Sequence, residues 1–309
     1  MKKHFKLACL FSYMLILLIT CKPITPSPKA SITAKIVNNV VTFSLTTTNS
    51  SAYKWRFGDG DSMIVYSSAP VVHAYDTDGK TYPVSLVVLG PGGQSTAQTS
   101  VEIPTMSQID MLTGGAEVTK GKAWRISSSY GIQVTSPDSA MTILRNYPAG
   151  VLTTLGLDGA YTDKYFFFSN GNYTVSPVAG GALSGISFCT FNNLVNVQPQ
   201  AADSVGLTYA IPYKSPSGLT FTYNQGKDLT ISTTPDGISS TDIIYTDVNT
   251  LSFSANGFFG LRDFMKECIV QQMAPTRMTV AFFVSDTLPQ APQIGKITKI
   301  WILTFEAVL

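Results

Sequence analysis

Trp55-Arg56-Phe57-Gly58-Asp59-Gly60-Asp61, then Val71-Val72-His73-Ala74-Tyr75, then Thr81-Tyr82-Pro83-Val84-Ser85-Leu86-Val87-Val88 are the segments from which the architecture of the N-terminal part of the chain follows. Apolar and polar residues alternate in the run from Tyr53 to Phe57 and in the two later segments, the period of a half-buried strand. Gly58 and Gly60 permit positive φ, and the Asp between them favours a tight hairpin turn. Upstream, Val40-Val41-Thr42-Phe43-Ser44-Leu45 alternates in the same way. Strands at this spacing, with no helical periodicity between them, predict a small β-sandwich.

The blocks Trp55-Arg56-Phe57-Gly58-Asp59-Gly60, His73-Ala74-Tyr75 and Gly79-Lys80-Thr81-Tyr82-Pro83-Val84-Ser85-Leu86-Val87-Val88 occur in one order and spacing that resembles a PKD domain, the immunoglobulin-like module of bacterial extracellular proteins. The resemblance covers residues 30–104. It implies that Trp55 is core, that Gly-Asp-Gly is a turn, that no residue here is catalytic, and that the module is a spacer or an adhesive unit. His73, the one histidine after residue 20, is assigned a packing role within its block rather than that of a metal ligand or base.

Outward from this module, the chain begins with Lys2, Lys3 and Lys6, an apolar run from Leu7 to Ile19, and Cys21. A basic start, a short apolar stretch and a processing position in that order read as an export signal over residues 1–20. Leu18-Ile19-Thr20-Cys21 resembles the bacterial lipobox, which implies lipidation at Cys21. Residues 21–29, with Pro23, Pro26 and Pro28, form an extended tether. The resulting expectation is a membrane-anchored protein of the outer membrane, at the cell surface or facing the periplasm.

The whole chain of 309 residues carries 21 Lys+Arg against 19 Asp+Glu. Without the three lysines of the signal the balance is 18 to 19, a net of −1, and no basic run remains to follow a phosphate backbone. Nucleic acid is therefore excluded as a partner. Of the four cysteines, Cys9 lies in the signal and Cys21 at the lipidation position, leaving Cys189 and Cys268. An exported compartment permits a disulfide between them; two buried thiols acting as small hydrophobes is the other reading.

Residues 111–309 again read as strands: Ala123-Ile126, Lys164-Phe168, Asn172-Val175, Thr220-Tyr223, Leu251-Ser254, Arg277-Val284 and Lys299-Phe305, with Asn-Gly turns at Asn170-Gly171 and Asn256-Gly257. The fold class is all-β, an immunoglobulin-like N-terminal sandwich followed by a larger β-sandwich or jelly roll.

Leu112-Thr113-Gly114-Gly115, Lys122-Ala123-Trp124-Arg125-Ile126, Tyr161-Thr162-Asp163-Lys164-Tyr165-Phe166-Phe167 and Trp301-Ile302-Leu303-Thr304-Phe305 resemble the C-terminal β-sandwich of PKD-bearing lipoproteins, which are similar to surface glycan-binding components of starch-utilisation-type uptake systems. The resemblance implies polysaccharide as ligand and an outer-membrane transporter complex as partner. Between Tyr130 and Tyr161, where such proteins carry paired tryptophans, this chain offers Tyr147. Sugar recognition needs aromatic faces for pyranose rings beside polar groups for hydroxyls. Trp124, Tyr130, Tyr147, Tyr161, Asp163 and Lys164 have that chemistry and are the candidate binding residues, with Tyr147 and Tyr161 expected in loops.

Catalysis has no comparable signature. Glu occurs only at 102, 117, 267 and 306, and no pattern singles out the carboxylate pair that glycoside hydrolysis uses. A Ser-His-Asp site would have to recruit His73 from the other module, and no Cys/His cluster suggests zinc. The expectation is a non-catalytic glycan-binding lipoprotein with no cofactor and no metal. A structural or adhesive envelope protein, and a hydrolase with an unrecognised carboxylate pair, are the alternatives.

Overall fold

The computed structural model describes residues 25–176, 181–194, 208–234, 240–285 and 295–308. The expected signal over residues 1–20 and the expected lipidation position Cys21 lie outside the described residues. The chain divides into two compact units, the first drawn from residues up to 102 and the second from residues 103–309 together with residues 37–40 and 74–80.

The first unit holds β1 (Lys29–Val37), β2 (Val40–Thr48), β3 (Ala52–Arg56), β4 (Ser62–Val65), β5 (Val71–Ala74), β6 (Lys80–Gly90) and β7 (Gly93–Ile103). They form two sheets, ordered β1-β2-β5 and β4-β3-β6-β7. Phe43, Trp55, Leu86 and Val88 are fully buried between them, with the Phe43 and Trp55 rings 5.5 Å apart. The alternating residues of each run thus sit where period 2 puts them. The Gly-Asp-Gly turn leads into β4, a strand with no alternating signature in the sequence. Its Met63 and Ile64 are exposed at the sheet edge, so no buried face gives it an alternating signature.

The second unit opens with α1 (Gln108–Thr113), capped by Ser107, whose hydroxyl accepts the Asp110 N–H, and closed by Gly114 in the left-handed region. It continues through β8 (Lys122–Ile126), β9 (Gln133–Thr135), β10 (Ile143–Asn146), α2 (Val151–Thr154), a 3-10 turn (Asp158–Tyr161), β11 (Lys164–Phe167), β12 (Tyr173–Ser176), β13 (Ala182–Gly185), α3 (Ile186–Phe191) and β14 (Thr208–Ile211). The chain then runs through β15 (Phe221–Thr233), β16 (Thr241–Phe253), β17 (Glu267–Met273), β18 (Arg277–Val284) and β19 (Lys299–Val308).

One sheet dominates this unit. Its order is β12-β11-β8-β19-β18-β17-β16-β15, every pair antiparallel. The two outer strands then meet. Asn172 bridges Thr220, the Tyr173 N–H donates to the Leu219 carbonyl at 2.9 Å, and the Phe221 N–H donates to the Gly171 carbonyl at 3.0 Å. The eight strands therefore close into an up-and-down barrel, each pairing with its successor and β19 returning to β8. The all-β class expected from sequence holds, with the larger unit built on a curled sheet beside the separate two-stranded sheet β13-β14.

The barrel interior is filled by Trp124, Tyr165, Phe167, Trp301, Leu303 and Phe305, all fully buried, as expected for an eight-stranded barrel. In β18 and β19 the opposite face is buried too: Ala281, Phe283, Ile300 and Ile302 pack with Leu229, Ile231 and Tyr245 from the far half of the β15-β16 ribbon. The ladder between those strands shifts register between Asn224 and Leu229, a bend typical of bulges. Burial on both faces explains the continuous apolar runs Val280-Val284 and Ile300-Leu303.

Lys122 is half-buried beside Trp124. Its Nζ donates to the Met111 carbonyl at 2.6 Å and to the Pro275 carbonyl, and lies 4.7 Å from the indole centroid. Burial lowers its pKa from the ordinary lysine value to about 7. Above pH 7 the folded protein therefore holds fewer protons at this position than the unfolded chain, so its contribution to stability grows as pH rises and falls as pH drops toward 7. Denaturant melts at pH 7 and pH 8.5, below the range where tyrosines ionise, should show this rise, and Lys122→Met should abolish that part of it.

Candidate functional site

Between β12 and β15 the chain inserts the antiparallel β13-β14 ribbon and α3. The insert is tied to the segment between β16 and β17: the Arg262 N–H donates to the Leu183 carbonyl at 2.8 Å, and the Gly185 N–H to the Arg262 carbonyl at 2.9 Å. A Cβ at Gly185 would lie 2.1 Å from Asp263 Oδ2, so a larger residue there would have to displace that carboxylate. The junction leaves a half-open cavity of about 380 Å³.

Its walls combine rings and polar groups. Phe188 and Phe191 come from α3, and the Phe264 ring lies 5.6 Å from each. Phe191 is half exposed at 51%. Asn192, Asn256, Arg262, Asp263, Lys266 and Glu267 supply the polar lining. The Arg262 guanidinium stands 4.9 Å from the centroid of Phe188 and 5.3 Å from that of Tyr213; burial lowers its pKa, yet a guanidinium stays charged.

The two carboxylates of the lining are engaged by the protein. Asp263 is buried; it accepts the Phe264 N–H at 2.7 Å on Oδ1 and the Ser285 N–H at 3.4 Å on Oδ2. Glu267 Oε1 accepts from Lys227 Nζ and Thr250 Oγ1, each at 2.7 Å. Lys266 Nζ donates to the Ala255 carbonyl.

The residues singled out from sequence are placed differently. Trp124 is fully buried, its Nε1 donating to the Leu112 carbonyl at 2.8 Å. Asp163 is fully buried, and Tyr161 is 9% exposed in the 3-10 turn, its hydroxyl accepting the Leu152 N–H at 3.2 Å. These three belong to the core and offer no face to a ligand: in β8, Trp124 and Ile126 share the inward side while Arg125 points out. Lys164 is half-buried at the start of β11.

Tyr130 and Tyr147 do reach the surface. Tyr130 is 41% exposed, its hydroxyl accepting from Arg277 at 2.7 Å; Tyr147 accepts from Arg145 at 3.0 Å. Both flank the base of the β9-β10 ribbon, where the Tyr147 N–H donates to the Ile132 carbonyl at 2.8 Å. Cys189 and Cys268 are buried free thiols. Burial raises the Cys189 thiol to about 11 and the Cys268 thiol well above its ordinary range, leaving both inert at neutral pH.

In the first unit, Asp59, Asp61 and His73 gather within 4.8 Å. His73 Nε2 lies 2.6 Å from Asp59 Oδ2, and its ring stacks on Phe57 at 4.0 Å. The imidazole ties the Gly-Asp-Gly turn to β5, in keeping with the packing role read from sequence.

The first unit is thus of the immunoglobulin-like class, two sheets over an aromatic core. Residues 23–104 match the family model for the PKD domain, and this module is a PKD domain. Similar solved structures include the PKD1 domain of Vibrio anguillarum Epp, 21% identical over 26% of this chain and 98% of that one, TM-score 0.24. Another is the PKD1 domain of the Vibrio cholerae metalloprotease PrtV, 24% identical over 26% of this chain and all of that one, TM-score 0.23. No curated protein matches the chain.

The cavity residues Phe188, Phe191, Arg262 and Phe264 were missed from sequence. The run Phe258-Phe259-Gly260-Leu261-Arg262-Asp263-Phe264 carried a usable signal: aromatics without strand alternation, interrupted by two charges, in a connection between strands.

Proposed function

We propose that the chain is a lipid-anchored envelope protein, held in the outer membrane through Cys21, whose C-terminal barrel binds glycan while the PKD module acts as its spacer. The observation that carries this reading is the half-open cavity. Phe191 and Phe264 offer ring faces beside Asn192, Asn256 and Arg262, the general layout of a ligand site in which apolar walls bind and a few polar groups orient. Its volume of about 380 Å³ lies at the small end of ligand pockets, roughly 300–1,000 Å³, and suits the end or a short stretch of a saccharide rather than a long chain.

In this reading Tyr130 and Tyr147 form a second, shallower contact for longer chains. The role is one of retention without chemistry, consistent with lining carboxylates that are already committed to backbone N–H groups and to Lys227. An outer-membrane transporter is the partner to which a retained polysaccharide would pass.

The test is affinity electrophoresis of the full-length chain through β-glucans, starch, xylan, mannan and uronate polymers. Retardation by at least one glycan is expected, and none by any would move the assignment to a structural or adhesive role. Tyr130→Ala combined with Tyr147→Ala should weaken retention by polymers while leaving binding of short oligosaccharides intact, because linked contacts add avidity only when one chain spans both.

A further inference from the structure

Arg262 is an unusual cation to find on a cavity wall. It is half-buried and flanked by the rings of Phe188 and Tyr213, and its guanidinium has no ion pair or side-chain hydrogen bond among the described residues. A half-buried guanidinium whose donors no protein group uses is available to an acceptor that enters the cavity. The acidic neighbours do not use those donors: Asp263 is directed to the Phe264 and Ser285 N–H groups, and Glu267 to Lys227 and Thr250. Arg262 therefore presents a guanidinium fork that no carboxylate of the lining engages, and the two flanking rings hold it in place.

We propose that Arg262 receives the carboxylate of an acidic saccharide, a uronic acid residue, in the cavity between α3 and the segment from Phe258 to Phe264. The proposal rests on the glycan-binding reading and names its substrate class. A carboxylate matches the guanidinium fork in a bidentate pair. The pyranose ring that bears it would lie against Phe191 and Phe264, and its hydroxyls would reach the amides of Asn192 and Asn256. Lys266, at the same rim, adds a second positive group.

The experiment compares polygalacturonate, alginate and hyaluronan with the carboxyl-reduced form of each, using the full-length chain, Arg262→Gln and Arg262→Lys. At least one uronate polymer should bind tenfold or more tightly than its reduced form. Arg262→Gln should erase that difference, and Arg262→Lys, which keeps the charge but loses the fork, should restore part of it. Thermal melts of both variants accompany the binding data, and the reduced polymers provide a reading on the unmodified protein that needs no variant. Equal binding of acid and reduced forms, retention by neutral glycans alone, or an undiminished preference in a folded Arg262→Gln variant overturns the uronate assignment and leaves glycan binding standing. Retention by no glycan of either kind overturns both.

Discussion

Trp124→Ala lowers the stability of the C-terminal barrel by about 3–5 kcal/mol, the range for truncating a buried tryptophan. The indole is fully buried, its N–H is satisfied by the Leu112 carbonyl, and Lys122 lies over its face. Removing it opens a void in the barrel interior, orphans that carbonyl and leaves the Lys122 amine without its ring. For a domain of this size roughly 2–4 °C of melting temperature is lost per kcal/mol. Calorimetry of the full-length variant should therefore show the barrel transition lowered by at least 6 °C or so, with the PKD transition in place. If Trp124 were instead a ligand platform, the variant would melt normally and lose only glycan retention.

Gly58→Ala is the corresponding lesion in the PKD module. Gly58 has φ +90°, and an added Cβ would stand 2.5 Å from the Pro83 carbonyl oxygen and 3.0 Å from its ring. Backbone strain and overpacking against β6 act together, for an expected cost of about 2–4 kcal/mol. Gly60 is the internal control. It too has positive φ, +108°, but its Cβ would meet nothing within 4 Å, so Gly60→Ala bears the backbone term alone. The PKD transition should fall clearly further in Gly58→Ala than in Gly60→Ala, and equal shifts would show that contact with Pro83 does not matter.

How far these features were legible depends on range. The PKD strands alternate over a two-faced sandwich, so period 2 located β2, β3, β5 and β6, and the Gly-Asp-Gly turn marked itself. In the barrel, β18 and β19 were conspicuous because both faces are buried. β17 was missed because Glu267-Cys268-Ile269-Val270-Gln271-Gln272-Met273 shows neither alternation nor a long apolar run. Closure of the barrel depends on β19 returning to β8 and on Asn172 meeting Thr220, pairings that local pattern cannot reveal.

The site was harder to read for a related reason. Aromatic chemistry alone selected Trp124 and Tyr161, whereas inward or outward direction decides whether a ring meets a ligand. Lys122-Ala123-Trp124-Arg125-Ile126 carried that information, since Trp124 shares its side with Ile126 and Arg125 faces out. The cavity itself arises where α3 docks against the segment from Phe258 to Phe264, two stretches about seventy residues apart that share no motif.

The most direct test of glycan binding at this cavity is affinity electrophoresis of the full-length chain beside its Phe191→Ala/Phe264→Ala variant, in whichever glycan retards the unmodified protein. Both rings lie at the cavity rather than in the barrel core, so the variant should melt near the unmodified temperature. Its affinity should fall about tenfold, as the loss of two stacking faces worth about 0.5–1.5 kcal/mol each would require. Unchanged retention by the folded variant would contradict the account and place the glycan elsewhere on the protein.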